Sequence, residues 1–329
     1  MHSEEHATRG RRNFLKTAAG AAAGAATIAL TGMESMAAQN GSARNANTKN
    51  TRAQSGSAKL ANSGTAAQTR GDEAGALDRA LWVTWYDLPE RGRDEYFAWL
   101  HGTYLPALLR RPGYLWAAHY ATRTSGGSNQ IHHTDDPKVP AGYRYILVVG
   151  VTDGLVLGNP VPSAIHAELP AQSRKMLATR VGERVNLMVE SGRCKGPASG
   201  AYREGLTGAP YIQIGSFNCP VEYEEEMHAG YVQKRLPAMC EAASCIRTRK
   251  LNSVAGWAKH AILYEFASQE GFDRDYEAAN AKSPLGVKGH SVVPMLVHAP
   301  NGPNSAARIW PPVQKAQVNA LGARSSYQE

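Results

Sequence analysis

His101 and Tyr104 are the residues on which proton chemistry is most readily built: they stand three apart in a run where Phe97, Leu100 and Leu108 recur at helical spacing. That spacing predicts a helix over 92–110 whose apolar face carries both polar side chains toward a sheet. An imidazole titrates near neutral pH and can serve as general base, while a phenol can orient a carbonyl or a phenolate. A core histidine bonded to a backbone carbonyl would satisfy the same pattern. The next predicted strand, 114–122, holds His119 and Tyr120, which point to opposite faces because side chains alternate along a strand. His119 shares its face with Leu115, Ala117 and Ala121; Tyr120 shares its own with Tyr114, Trp116 and Ala118. Alanine beside aromatic residues leaves room for a planar ligand, or else permits close packing. The candidates for catalysis are therefore His101, Tyr104 and His119. Trp85, Phe97, Trp116, Tyr120 and Tyr145 are the candidates to line a site for a small apolar or aromatic substrate.

Other clusters point less directly to chemistry. His132, His133, Asp135 and Asp136 gather in a Gly/Pro-rich stretch that lacks the frame needed to fix metal ligands. A solvated loop, able to act as a lid over the first half of the chain, is the expected form, and no metal is expected. Arg247, Arg249 and Lys250 lie on a predicted strand beside another carrying Lys259, His260 and Glu265, where cross-strand pairing is expected ahead of anion binding. The cysteines, Cys194, Cys219, Cys240 and Cys245, show no CxxC spacing, and whether Cys240 and Cys245 bridge is open.

The elements that must position these residues come from a repeat. Tyr104-Leu105-Pro106-Ala107-Leu108-Leu109 answers to Arg235-Leu236-Pro237-Ala238-Met239-Cys240 at an offset of 131 residues. The run 81–86 answers to 212–217 at the same offset, and 145–149 answers to 261–265 once the offset falls to 116. Each half then reads strand, helix, strand, strand, helix, strand. The first has strands at 81–87, 114–122, 143–151 and 184–190, with helices at 92–110 and 162–181. The second has strands at 211–217, 246–252, 257–266 and 291–298, with helices at 221–241 and 268–281. A βαββαβ unit is the split-βαβ, ferredoxin-like motif. The expected fold class is α+β: two tandem ferredoxin-like units, 76–200 and 201–315, forming a fused dimeric-type α+β barrel, with a tail at 316–329. Val232 and Arg235 replace His101 and Tyr104 in the second half, so if the chain has one active site it is expected in the first.

Composition removes the N-terminal part from this barrel. Residues 1–75 hold one Phe and no Trp or Tyr, too little apolar surface to offset chain entropy. They carry nine of the 36 Lys/Arg and five of the 28 Asp/Glu, a net of +4, leaving 27 and 23, again +4, for the rest. A mixed surface without a basic block excludes a nucleic-acid footprint.

The segment Arg11-Arg12-Asn13-Phe14-Leu15-Lys16, followed by the weakly apolar stretch from Thr17 to Leu30, resembles a twin-arginine export signal. The resemblance implies a leader over 1–38, cleaved after Ala37 or Ala38, and a flexible linker over 39–75. It also implies the twin-arginine export machinery as partner and a periplasmic or secreted location. Phe97-x-x-x-His101-x-x-Tyr104-x-Pro106, then Arg111-Pro112-Gly113 and a strand reaching Tyr120, resembles the EthD-like branch of the dimeric α+β barrel superfamily across both halves. That superfamily includes cofactor-free monooxygenases, lactone isomerases, polyketide cyclases and decarboxylases, together with haem-binding chlorite dismutases and dye-decolourising peroxidases. Its EthD-like pattern commonly places a His two residues before the helix Pro, where Tyr104 and Arg235 stand here. Gly150-Val151-Thr152-Asp153-Gly154 matches the GxxDG run of the dye-decolourising peroxidases, with His166, His260, His290 and His298 as axial candidates. The expected function is an exported, cofactor-independent enzyme acting by acid/base chemistry on a small apolar or aromatic compound, as lyase, isomerase, cyclase or oxygenase. The alternatives are a non-catalytic periplasmic binding protein and a haem peroxidase. Homo-oligomerisation through exposed helices stays open, as does a separate site in the second unit.

Overall fold

The computed structural model describes residues 78–123, 131–201, 208–282, 286–287 and 290–313. The expected leader, linker and C-terminal tail lie outside them. Among the described residues no helix is long and apolar enough to cross a membrane.

The first half runs β1 (Ala80–Asp87), α1 (Arg93–Trp99), α2 (Leu105–Leu108), β2 (Tyr114–Thr122), β3 (His132–His133), β4 (Tyr145–Val151), α3 (Pro162–Ala167), α4 (Ala171–Leu177) and β5 (Val181–Lys195). The second runs β6 (Tyr211–Asn218), α5 (Glu224–Gly230), α6 (Leu236–Cys240), β7 (Cys245–Ala255), β8 (His260–Phe266) and α7 (Gln269–Lys282). It ends with β9 (Gly286–Val287), β10 (His290–Ser291), β11 (Val297–His298) and β12 (Asn304–Trp310). The strands join in the order β2-β4-β1-β5-β7-β8-β6-β12, and β12 pairs back onto β2. The result is an α+β fold around a closed antiparallel barrel of eight strands. Closure leaves no long unpaired edge among these strands.

Strand alternation divides the core into an interior and two outer layers. Leu81, Val83 and Trp85 of β1 face inward with Trp116, Tyr120, Ile146 and Ile214. Trp82 and Tyr86 face outward, under α1 and α2, with Leu100, Tyr104 and Leu147. The second outer layer holds Phe217, Tyr231, Tyr264 and Phe272. A register shift between Tyr114 and Trp116 turns Tyr114 into the outer layer with Ala117, so it does not share the face of Trp116 as strict alternation predicts.

One end of the barrel interior is charged, and its charges balance. Asp78 accepts from Arg193 at 3.0 Å, from Arg249 at 3.0 Å and from the Trp116 indole at 3.1 Å. Glu190 holds Arg249 at 2.6 Å and Arg193 at 2.9 Å, and Glu265 pairs with Arg247 across β7 and β8. Burial alone would raise the Asp78 carboxyl, but Arg249, Arg247 and Arg193 outweigh it and hold it well below the usual range. Arg247 and Arg249 are thus in ion pairs, and Lys259 and His260 both meet Glu224. The four cysteines are unpaired thiols.

Two expectations are corrected. The stretch 291–298 is not the closing strand: Pro294 sits in a 3₁₀ turn, Val293–Met295, leaving only Val297–His298 to pair with β6. Closure is made by β12, whose inward residues Asn304, Ala306 and Arg308 lack the apolar signature of a strand. The residues described after 130 are not a free loop over the first half. His132–His133 add a parallel strand to β11, and His133 bonds to the Gly302 carbonyl, so this segment joins the second half.

Candidate functional site

The long helix of each half is interrupted by a π-helical turn, Leu100–Tyr104 in the first and Tyr231–Arg235 in the second. These turns stand 131 residues apart, at the offset of the sequence repeat. The cause is local. Pro106 and Pro237 have no N–H to donate and their rings crowd the carbonyl four residues back, which favours opening the ladder there. The Leu105 N–H reaches back to the Leu100 carbonyl, and that of Leu236 to Tyr231. Such turns recur at functional sites because they re-aim the side chains around them.

In the first layer the turn aims His101 at β2. His101 Nε2 lies 2.9 Å from His119 Nδ1, and His119 Nε2 lies 2.8 Å from Tyr86 Oη. The three groups form one hydrogen-bonded chain that begins at the half-buried His101 and ends at two fully buried partners. The His101 ring is stacked between Phe97 (centroids 5.6 Å) and Trp310 (5.4 Å), so only its edge is open. Nδ1 on that edge makes no hydrogen bond among the described residues. Tyr145 closes the wall, 5.3 Å from Phe97 and 5.6 Å from His119. Burial lowers the His101 pKa to about 4. Burial lowers that of His119 as well, and His101 and the Arg180 guanidinium add to the effect. Both rings are therefore neutral at pH 7. Arg180 lies over the Tyr86 ring at 4.6 Å, donates to Tyr96 Oη at 2.6 Å and is paired with Glu183.

Tyr104 faces the same layer but belongs to a second pair, its Oη 2.7 Å from His166 Nε2. Burial drives the Tyr104 pKa up and that of His166 down to about 4, with Arg180 pushing His166 the same way. Both groups stay neutral and locked in one bond. Trp85, Trp116 and Tyr120 lie on the other side of the sheet, inside the barrel, where Trp116 donates to Asp78 and Tyr120 to the Ala209 carbonyl. The chain thus brings together Phe97, His101, His119 and Tyr145, and separates them from the three interior aromatics. Tyr86, Arg180 and Trp310 were not selected from sequence. Over residues 81–86 of β1 the even positions, Trp82, Thr84 and Tyr86, carry three polar side-chain atoms against one on the odd positions, a signal that could have marked Tyr86. Trp310 sits in the unrecognised strand β12.

The second layer holds a cavity of about 360 Å³, lined by Phe217, Tyr231, Tyr264, Tyr276, Arg235 and His298 among others. That volume suits a small ligand. Ile131 of the segment that joins this half also lines it. Arg235 donates to the Asn280 carbonyl at 3.0 Å. His298 is held neutral, its pKa lowered to about 4 by burial and by His133, and its Nδ1 is buried without a partner. The second half therefore has a pocket of its own, beside the diverged Arg235.

Of the donors named as haem candidates, His298 lines this cavity and three others are engaged elsewhere. Asp153 caps Leu155 N at 2.7 Å in an exposed turn. His166 is bonded to Tyr104, and His260 is held through both nitrogens by Asn252 and Glu224. The side chain of His290 lies outside the described residues. No group of three metal-ligating side chains occurs among the described residues.

No family model matches the chain, and no curated protein matches it. Solved structures do. An anthrone oxidase-like protein superposes with a TM-score of 0.44 at 9% identity, covering 72% of this chain and 93% of its own. A protein assigned as a chlorite dismutase gives 0.40 at 13% identity, covering 75% and 99%. One assigned as a monooxygenase, from Lactobacillus acidophilus NCFM, gives 0.37 at 11%, covering 70% and 94%. These are similarities of chain trace at low scores; the strand order, not the neighbours, defines the fold here.

Proposed function

We propose that the chain is an exported, cofactor-independent enzyme that moves a proton on a small, largely apolar or aromatic compound. The observation that carries this reading is the continuous bonded chain from the open edge of His101 through His119 to Tyr86, set in an aromatic wall. For Nδ1 of His101 to accept a proton, Nε2 must carry the ring's hydrogen and donate it to His119 Nδ1. His119 Nε2–H then donates to Tyr86 Oη, so one tautomer runs the length of the chain.

A neutral imidazole of low pKa is a weak base, so it suits an acidic C–H or O–H whose conjugate anion stays beside it. The substrate keeps the bonding electrons as an enolate or phenolate, the proton sits on Nδ1, and the new ion pair offsets the cost of a buried charge. Returning that proton to another atom gives an isomerase; cyclisation, bond cleavage and oxygenation can start from the same anion. Tyr104, committed to His166, stands beside that wall and is not its base. The strand order of each half, fourth, first, third, second, supports reading the halves as ferredoxin-like repeats of a fused dimeric-type barrel. The paired Arg11 and Arg12 support export by the twin-arginine route.

The test is to identify any compound that co-purifies by mass spectrometry and to assay its conversion. Wild-type protein should consume it and folded His101→Ala should not; equal conversion by both would remove His101 from the chemistry. A second reading, a non-catalytic binding protein, is favoured by the 360 Å³ cavity of the second half. It expects saturable binding that Arg235→Ala weakens, without product, and a visible spectrum of the purified protein checks cofactor independence.

A further inference from the structure

We infer that the end of the barrel interior away from Asp78 holds a binding site for a small oxyanion, built on Arg184 with the indole N–H of Trp85. Arg184 of β5 stands directly opposite Trp85 of β1, and both side chains enter the barrel where β1 ends and β5 begins. The guanidinium lies over the indole at 4.5 Å. The residue is 3% exposed, and its Nε and Nη1 are buried without a partner. The Trp85 indole N–H is buried and unpartnered as well.

The contrast with the other buried guanidiniums is what marks the site. Arg180 has Glu183, Arg193 has Glu190, Arg247 has Glu265, Arg249 has Asp78, and Arg308 has the Gly208 carbonyl. Among the described residues Arg184 is the buried arginine without a carboxylate or carbonyl. Removing an unpaired cation from water is costly, and buried N–H groups without acceptors add to that cost. Accordingly burial lowers the Arg184 pKa to about 10, with no anion opposing it.

Unmet donors next to an uncompensated positive charge call for a ligand that is all acceptor and negatively charged. A carboxylate and an inorganic phosphate share that chemistry. Asn186, the next inward residue of β5, has its Nδ2 committed to Ser253 Oγ at 2.8 Å and to the Ala258 carbonyl at 2.9 Å, and its Oδ1 is buried without a partner. The site lies across the sheet from the His101 chain and does not depend on the proposed reaction.

Thermal unfolding of the full chain, titrated with sodium phosphate or sodium acetate against sodium chloride at equal ionic strength, tests the inference. A ligand that binds only the native state raises Tm with its logarithmic concentration. Phosphate, acetate or both should raise Tm saturably above the chloride control, and which of them does so identifies the source of the oxyanion. Arg184→Met, which replaces a buried ion by an apolar chain of similar length, should weaken the apparent affinity at least tenfold. Trp85→Phe keeps the ring but loses the N–H and should weaken it about threefold, which decides the matter if Arg184→Met fails to fold. A wild-type response no larger than chloride gives, or an equal response in the folded variants, would overturn the site and leave Arg184 bonded to water.

Discussion

His101 owes its place to stacking as much as to hydrogen bonding. Phe97 and Trp310 clamp its two faces, His119 holds Nε2, and only the Nδ1 edge remains for a substrate. Replacing His101 with Ala should lower turnover by roughly 10²- to 10⁴-fold, the usual worth of a general base, with an unchanged circular dichroism spectrum. The pH dependence has a definite sign. Because burial lowers the His101 pKa to about 4, the basic form is already present at pH 5, so activity should be flat from pH 8 to 5 and fall near 4. A limb with its midpoint near 6.5 would mean a solvated histidine instead. His119→Phe fills the volume but leaves Tyr86 Oη buried without its partner, at a cost of about 1–3 kcal/mol readable by denaturant titration.

The helices were legible because Phe97, Leu100, Tyr104 and Leu108 keep helical spacing, yet the π turn inside the first one was not. A single extra residue in a turn leaves no periodicity signal, and Pro106 alone hints at it. Of the site, His101, His119, Phe97 and Tyr145 could be read from residue type and face. Trp310 could not, since the buried positions of β12, Asn304, Ala306 and Arg308, are polar or small, while the run at 291–298 is the more apolar. The interior position of Trp85, Trp116 and Tyr120 follows from closure, which no local pattern reports. The π turn also makes a prediction at this scale. Pro106→Ala restores the missing N–H and removes the ring clash, so the ladder can close into a regular helix. Thermal stability should hold or rise while activity falls, because the residues of the turn rotate away from β2; falling stability with intact activity would show that the turn does not aim His101.

For the whole molecule, closure and buried charge work together. β12 seals the barrel between β2 and β6, and Asp78 ties β1 to the arginines of β5 and β7. Replacing Asp78 with Ala leaves three interior guanidiniums to share two carboxylates, Glu190 and Glu265, and should cost roughly 3–5 kcal/mol in urea unfolding. The acid limb follows from linkage. Asp78 is held below its unfolded pKa, and His119, His166 and His298 are held below 6.5, so between these values the unfolded chain binds more protons than the native one. Stability should therefore be full above about pH 6.5 and decline as the pH falls toward 4, with the Asp78 contribution lost at still lower pH. The export reading has its own check: Arg11→Lys with Arg12→Lys should leave the protein unprocessed inside the cell.

Proton transfer at His101 is the claim on which the functional account rests, and deuterium exchange reads it without knowledge of the product. Aromatic ketones bearing an acidic C–H, incubated with the protein in D₂O and followed by mass spectrometry, should exchange faster with wild-type chain than without it. His101→Ala should abolish the acceleration and Arg235→Ala should leave it intact. Acceleration that persists in folded His101→Ala would contradict the account.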